Sequence, residues 1–153
     1  MDYQAELKEH LQAIVGQQLD GLNLACEMMM FSFGKYALHT QCLTRIVCGN
    51  DILVTTLDYQ SCDGEAEENN DEWYFVEQNR GKIVGGIVTS VNVNPLHDVV
   101  ILLDNGIRIE LFVGNGYHHF DDEHEQWVFF KRHDHSYPFI TVYSKTVDIA
   151  AKW

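Results

Sequence analysis

The alternation of apolar and polar residues predicts one helix followed by a series of strands. Tyr3, Leu7 and Leu11 recur at a spacing of four, with Gln, Glu and Lys between them. The stripe continues through Ile14 and stops at Gly16, a residue type that commonly ends helices. The pattern therefore predicts an amphipathic N-terminal helix of about three to four turns.

From Leu22 onward, apolar runs separated by turn residues predict an antiparallel meander. Asn105-Gly106 stands between two β-branched runs and predicts a type I′ hairpin turn, which needs positive φ at both residues. We expect an α+β domain, a helix packed on a mainly antiparallel sheet of about seven to nine strands that curls into a partial barrel or sandwich. The predicted strands lie within Leu24–Phe33, Tyr36–Cys48, Ile52–Leu57, Ile83–Val93, Val99–Leu103, Ile107–Val113, Gln126–Lys131 and Phe139–Tyr143.

The two halves of the chain show a similar order of strands and turns. Phe31–Gly34, followed by a strand, a turn and Ile52–Leu57, is echoed 72 positions later by Leu103–Gly106 and the run at Trp127–Phe130. Few residues are identical at this offset. Two related β-meander halves and independent use of the same hairpin pattern are both compatible with the sequence.

Length and charge narrow the classes of function. A chain of 153 residues and 17.6 kDa predicts a single domain over residues 1–153. It carries 10 Lys and Arg against 23 Asp and Glu, a net charge of -13 with His neutral. Such a chain repels phosphate, which argues against direct binding to nucleic acid or to anionic membranes.

The acidic residues are concentrated in two segments, Asp63–Glu72 and Asp121–Glu123, the second with Glu125 close behind it. Each segment is followed by aromatic residues. These segments are either solvated loops or an interface for a basic protein, in which the acids steer the partner and the aromatics anchor it. The candidate partner-binding residues are Asp63, Glu65, Glu67, Glu68, Asp71, Glu72, Trp73 and Tyr74, then Asp121, Asp122, Glu123, Glu125 and Trp127.

Histidines give the main argument for an enzyme. His118, His119 and His124 surround Asp121–Glu123, and imidazole with carboxylate suits Zn²⁺, Mn²⁺ or Fe²⁺. The spacing matches no established metal motif, and nucleophile and phosphate-binding motifs are missing from the sequence. We therefore expect no catalysis and no cofactor, and a metal-dependent enzyme or a non-catalytic scaffold subunit remains the alternative.

The sequence also bears on the compartment. Its four cysteines, Cys26, Cys42, Cys48 and Cys62, form no CxxC and are expected to be reduced core thiols. The acidic N-terminal stretch is unlike a signal peptide, and the longest uncharged apolar run, Met28–Phe33, is too short to span a bilayer. A cytoplasmic location is the expectation.

The pattern resembles the immunity proteins of bacterial toxin systems, notably those paired with contact-dependent growth inhibition toxins. The resemblance covers roughly residues 16 to 130 and rests on the small acidic domain together with three motifs. These are Phe33–His39 leading to Asn50–Val54, the hairpin Leu103–Ile109, and Glu125-Gln126-Trp127. The resemblance implies a cytosolic protein that binds one cognate toxin domain, often a nuclease, and blocks its active site. It implies no catalytic residue.

Overall fold

The structure is a computed structural model that describes residues 2–62, 64–65, 72–114 and 124–151 of the 153. Within these ranges the fold is α+β and mostly β, with an N-terminal helix, which confirms the expected class. The elements are α1 (Gln4–Leu11), a 3-10 turn (Gln12–Ile14), β1 (Gly21–Ala25), β2 (Met28–Phe33), β3 (Tyr36–Thr40), β4 (Leu43–Cys48), β5 (Asp51–Thr55), α2 (Thr56–Ser61), α3 (Tyr74–Ile83), β6 (Val88–Val93), β7 (Val99–Leu103), β8 (Ile107–Phe112), β9 (Glu125–Lys131), β10 (Pro138–Tyr143) and β11 (Val147–Ala151).

The described ranges hold eleven strands, more than the seven to nine predicted. Two apolar runs that read as single strands are each divided. Leu24–Phe33 is broken by a turn at Cys26, which has φ 52, and Tyr36–Cys48 is broken where the chain passes from one sheet to the other. A short turn inside an apolar run leaves hydropathy almost unchanged, so the pattern alone does not reveal it.

Two further helices, α2 and α3, were not predicted. At the start of α2, the Thr55 hydroxyl accepts a hydrogen bond from Leu57 N at 3.4 Å, and the Asp58 carboxylate accepts one from Thr55 N at 3.0 Å. This capping box ends the β-branched run and begins the helix. The Thr55-x-x-Asp58 spacing is visible in the sequence, but the β-branched residues before it favour a strand.

The strands form two antiparallel sheets rather than one curled sheet. The six-stranded sheet has the order β1-β2-β3-β9-β10-β11, and the five-stranded sheet has the order β5-β4-β8-β7-β6. In the described residues neither sheet closes into a barrel. Each half of the chain contributes strands to both sheets. An internal duplication that relates the two halves remains a prediction.

One hydrophobic cluster joins both sheets and α1. Alternation along β2 points Met29, Phe31 and Phe33 into this cluster, whereas Met28 and Met30 on the opposite face are half-buried. The five-stranded sheet contributes side chains such as Ile109, and α1 contributes Leu7, Leu11 and their neighbours. The core therefore lies between the sheets and is closed at one side by α1.

Helix α3 lies beside the free edge of β1. The indole nitrogen of Trp73 donates to Cys26 O at 2.9 Å, and the guanidinium of Arg80 donates to Leu22 O. At its far end, the Asn105 side-chain amide donates to Lys82 O at 3.1 Å and Ile83 O at 3.2 Å. The first two bonds join α3 to β1 and the β1–β2 turn, and the last two join it to the β7–β8 turn. Together they fix the position of α3.

The hairpin β7–β8 is confirmed, but the type I′ turn is wrong. Gly106 has φ 84, while Asn105 is not among the described residues with positive φ. The absence of a positive φ at Asn105 excludes the type I′ turn, which needs positive φ at both central residues. Asn105 Oδ1 accepts from Ile107 N at 3.2 Å, and this bond favours the turn that forms.

Candidate functional site

The candidate residues divide between the described ranges and the rest of the chain. Glu65 and Glu72 are exposed, Tyr74 and Glu125 are half-buried, and Trp73 and Trp127 are buried. The remaining candidates lie outside the described residues: Asp63, Glu67, Glu68, Asp71, Asp121, Asp122 and Glu123.

An open pocket of about 580 Å³ lies where the flanks of both acidic segments meet. Its walls include Cys26 and Glu27 from the β1–β2 turn and Tyr59 from α2, the helix that precedes the first acidic segment. His124, which directly follows the second acidic segment, also lines it. We call this region the acidic end of the molecule.

The residues on either side of the first acidic segment, Tyr59 and Trp73, pack together at this end. Trp73, directly after the segment, packs against Tyr59 with ring centroids 5.6 Å apart and is only 7% exposed. The charge of Glu72, together with burial and smaller contributions from Cys26 and Glu27, raises the pKa of the Tyr59 phenol. The negative potential around Tyr59 is therefore contributed by the β1–β2 turn as well as by the acidic segment.

Gln126 bonds the described residues on both sides of positions 115–123, which contain Asp121–Glu123. Its side-chain oxygen accepts from Gly114 N at 3.0 Å, and its side-chain nitrogen donates to His124 O at 3.2 Å. Gln126 is 1% exposed, and its own carbonyl accepts from Gln41 N and Cys42 N. Because one buried amide bonds both flanks, residues 114 and 124 are kept close to the start of β9.

Glu125 belongs to the same end. Its carboxylate accepts a hydrogen bond from the Gln41 side chain at 3.0 Å, and Gln41 also lines the pocket. Glu27 therefore lines the pocket, and Glu72 and Glu125, far apart in the sequence, each interact with a residue that lines it. Sequence reasoning proposed Glu72 and Glu125 but missed Glu27, an isolated acid inside an apolar run.

The two candidate tryptophans, Trp73 and Trp127, are buried in the fold. Trp127 is completely buried and donates its indole N–H to His97 O at 3.0 Å, so it presents no surface to a partner. Phe75 and Leu57 are instead exposed, by 48% and 52%. Helical spacing gave the missing signal for Phe75, because Trp73, Val76 and Ile83 face the core and leave Phe75 on the outer side of α3.

The histidine alternative lies partly beyond the described ranges, which exclude His118 and His119. His124 lines the pocket at the acidic end, while His133 follows β9 at the other end of that strand. Among the residues that the structure describes, no three His, Cys, Asp or Glu side chains are grouped to hold a metal ion.

The cysteines only partly follow the expectation of core thiols. None of the four, all of which lie in the described residues, forms a disulfide, and only Cys42 is buried, whereas Cys26 is exposed and Cys48 and Cys62 are intermediate. Cys26 occupies the β1–β2 turn, a feature that the apolar run around it concealed.

In the described part of the chain, no helix is both long and apolar enough to cross a bilayer. A comparison of the chain with models of known protein families, with curated proteins and with solved structures found no match in any of the three.

Proposed function

We propose that this protein is an immunity protein of a contact-dependent growth inhibition system, which binds and neutralises a basic toxin domain without catalysis. The observation that carries the proposal is that described residues flanking both acidic segments come together at one end of the molecule. The partner is a toxin of the nuclease class, and the complex forms in the cytoplasm.

Charge complementarity is the physical basis of this proposal. A nuclease presents a basic groove to the phosphates of its substrate, and a chain of charge -13 with Glu27, Glu72 and Glu125 near one pocket complements that groove. One carboxylate about 6 Å from a cation in water contributes roughly 0.7 kcal/mol, and reversal of its charge changes the energy by about twice that amount. Each reversal therefore slows association about tenfold at low salt.

Specificity needs more than charge, because any basic protein would respond to the same field. Phe75 on α3 and Leu57 on α2 offer exposed apolar surface on two helices that both pack on β5. Tyr74, edge-on to Phe75 with ring centroids 5.3 Å apart, limits the freedom of the Phe75 ring. Apolar anchors of this kind govern the dissociation rate.

The test uses the C-terminal domain of the protein encoded immediately upstream of this gene, which the proposal identifies as the toxin, co-expressed with this protein and also purified for kinetics. Growth should be restored by the wild type. The double variant Glu27→Lys/Glu72→Lys should lower the association rate about 100-fold at low salt and flatten its salt dependence. Phe75→Ser should mainly raise the dissociation rate.

The matched control is Glu6→Lys/Glu9→Lys, which changes net charge equally at two exposed acids of α1. At the same low salt concentration it should lower the association rate far less than Glu27→Lys/Glu72→Lys does. Equal losses in both double variants would mean that net charge, and not the acidic end, determines binding. Failure of the wild type to restore growth would refute the immunity function.

A further inference from the structure

A second pocket lies at the opposite end of the six-stranded sheet. Its volume is about 330 Å³, and it is formed by the β2–β3 turn and the loop that follows β9. The lining residues are Gly34, Lys35, Lys131, Arg132, His133 and Asp134. We call this region the basic end.

The basic end concentrates positive charge in an acidic protein. Lys35, Lys131 and Arg132 are three of the ten Lys and Arg residues in the chain, and Asp134 is the single acid in the lining. Hydrogen bonds from the Ser136 hydroxyl and amide, with a further contribution from Lys131, lower the pKa of Asp134 to about 2. Asp134 is therefore ionised and offsets one of the three cations. Asp20, whose carboxylate accepts a hydrogen bond from Gly34 N at 3.4 Å, offsets a second, which leaves a formal charge of +1.

Two of the three cations, those of Lys131 and Arg132, are held in place by side-chain contacts. Arg132 N donates to Lys35 O at 2.7 Å, which joins the two loops, and the Arg132 guanidinium donates to Ser32 Oγ at 2.5 Å. Lys131 Nζ lies 3.3 Å from Asp134 Oδ2 and 5.6 Å from the centre of the Tyr36 ring. Groups that are ordered beforehand lose less entropy when a ligand binds.

We propose that the basic end binds a small molecule through its phosphate group. A guanidinium has five N–H donors arranged to match phosphate oxygens, and the bond to Ser32 uses one of them. Lys35, exposed on the facing turn, supplies a second positive charge. The pocket is within the size range of small-molecule sites and has room for more than the phosphate itself.

The acidic end does not prevent this binding. Strand β9 has seven residues and begins at the acidic end, so it separates the two ends by about 20 Å. This distance is more than twice the Debye length of about 8 Å at physiological ionic strength. A ligand at the basic end therefore experiences mainly Lys35, Lys131 and Arg132, and the site is independent of the proposed toxin interface.

The experiment is a titration of the ¹⁵N-labelled protein with inorganic phosphate, followed by amide shifts at constant ionic strength. We expect a dissociation constant of about 1 mM, with the largest shifts at residues 34–35 and 131–134. The double variant Lys35→Gln/Arg132→Gln should weaken binding about tenfold. The control Lys8→Gln/Lys145→Gln, which removes equal charge at exposed lysines outside the pocket, should change it less than about twofold.

Ribose 5-phosphate and adenosine monophosphate form the second arm. Binding of either one more tightly than inorganic phosphate would support a phosphorylated small molecule as the ligand. Equal affinities would overturn that assignment in favour of free phosphate. Shifts that are absent at about 20 mM phosphate, or that both double variants reduce alike, would overturn the site itself.

Discussion

Gly86 and Asn105 are packed so closely that a single methyl group at position 86 should disrupt the junction between α3 and the β7–β8 turn. A Cβ at Gly86 would lie 2.6 Å from the Asn105 Cγ and Oδ1 atoms and 2.8 Å from Nδ2. Gly86 has no left-handed φ, so alanine is compatible with its backbone and the penalty comes from this contact alone. Gly86→Ala must therefore displace the Asn105 amide.

The displaced amide makes three hydrogen bonds, to Lys82 O, Ile83 O and Ile107 N. Water replaces part of them because Asn105 is exposed. At about 0.5–1.5 kcal/mol per bond, partly offset by this hydration, we expect Gly86→Ala to lower the free energy of unfolding by about 2 kcal/mol. For a chain of this length that loss lowers Tm by roughly 4–8 °C.

A double-mutant cycle measured by urea unfolding isolates the contact. In an Asn105→Ala background the amide is already absent, so Gly86→Ala should cost less than about 0.5 kcal/mol. Gly81→Ala is the matched control: Gly81 is exposed within α3, a Cβ added there would have no atom within 4 Å, and alanine should stabilise by about 0.5–1 kcal/mol. The reasoning fails if Gly86→Ala is neutral, or if its cost is the same with and without Asn105.

Two further predictions concern titratable groups. Burial raises the pKa of Glu110, but hydrogen bonds from Arg45 at 3.1 Å and Arg108 at 3.1 Å outweigh it and hold the pKa below its ordinary value. The stabilisation is therefore complete above the unfolded pKa of about 4.3 and is lost as pH falls through the lower folded value. In urea titrations Glu110→Gln should cost about 1–2 kcal/mol at pH 7, and this cost should shrink progressively as the pH is lowered below the unfolded pKa. A pH-independent difference would contradict the assignment. Burial raises the pKa of the Cys42 thiol to about 12, which disfavours the reactive thiolate. Mass spectrometry after brief treatment with iodoacetamide should therefore find exposed Cys26 alkylated first and Cys42 only after unfolding. Early labelling of Cys42 would disprove its burial.

Local patterns were enough to predict the class of the fold, its N-terminal helix and its clearest hairpin. The four-residue spacing of Tyr3, Leu7 and Leu11 was sufficient for α1, because burial of one face is encoded locally. Gly106 between β-branched runs was sufficient for the β7–β8 hairpin, although the turn type depended on hydrogen bonds of Asn105 that the dipeptide does not specify. The two concentrations of acid were likewise visible without a structure.

Which of these features become neighbours is visible only in the folded molecule. Gln126 reads as one polar residue in a strand, yet its buried amide bonds the flanks of the second acidic segment beside the pocket that Tyr59 and Glu27 also line. The same holds for the basic end, where Lys35 and Arg132 are joined only because β3 pairs with β9. Strand pairing between distant parts of the chain depends on global packing, and a local pattern carries no information about which strands become neighbours.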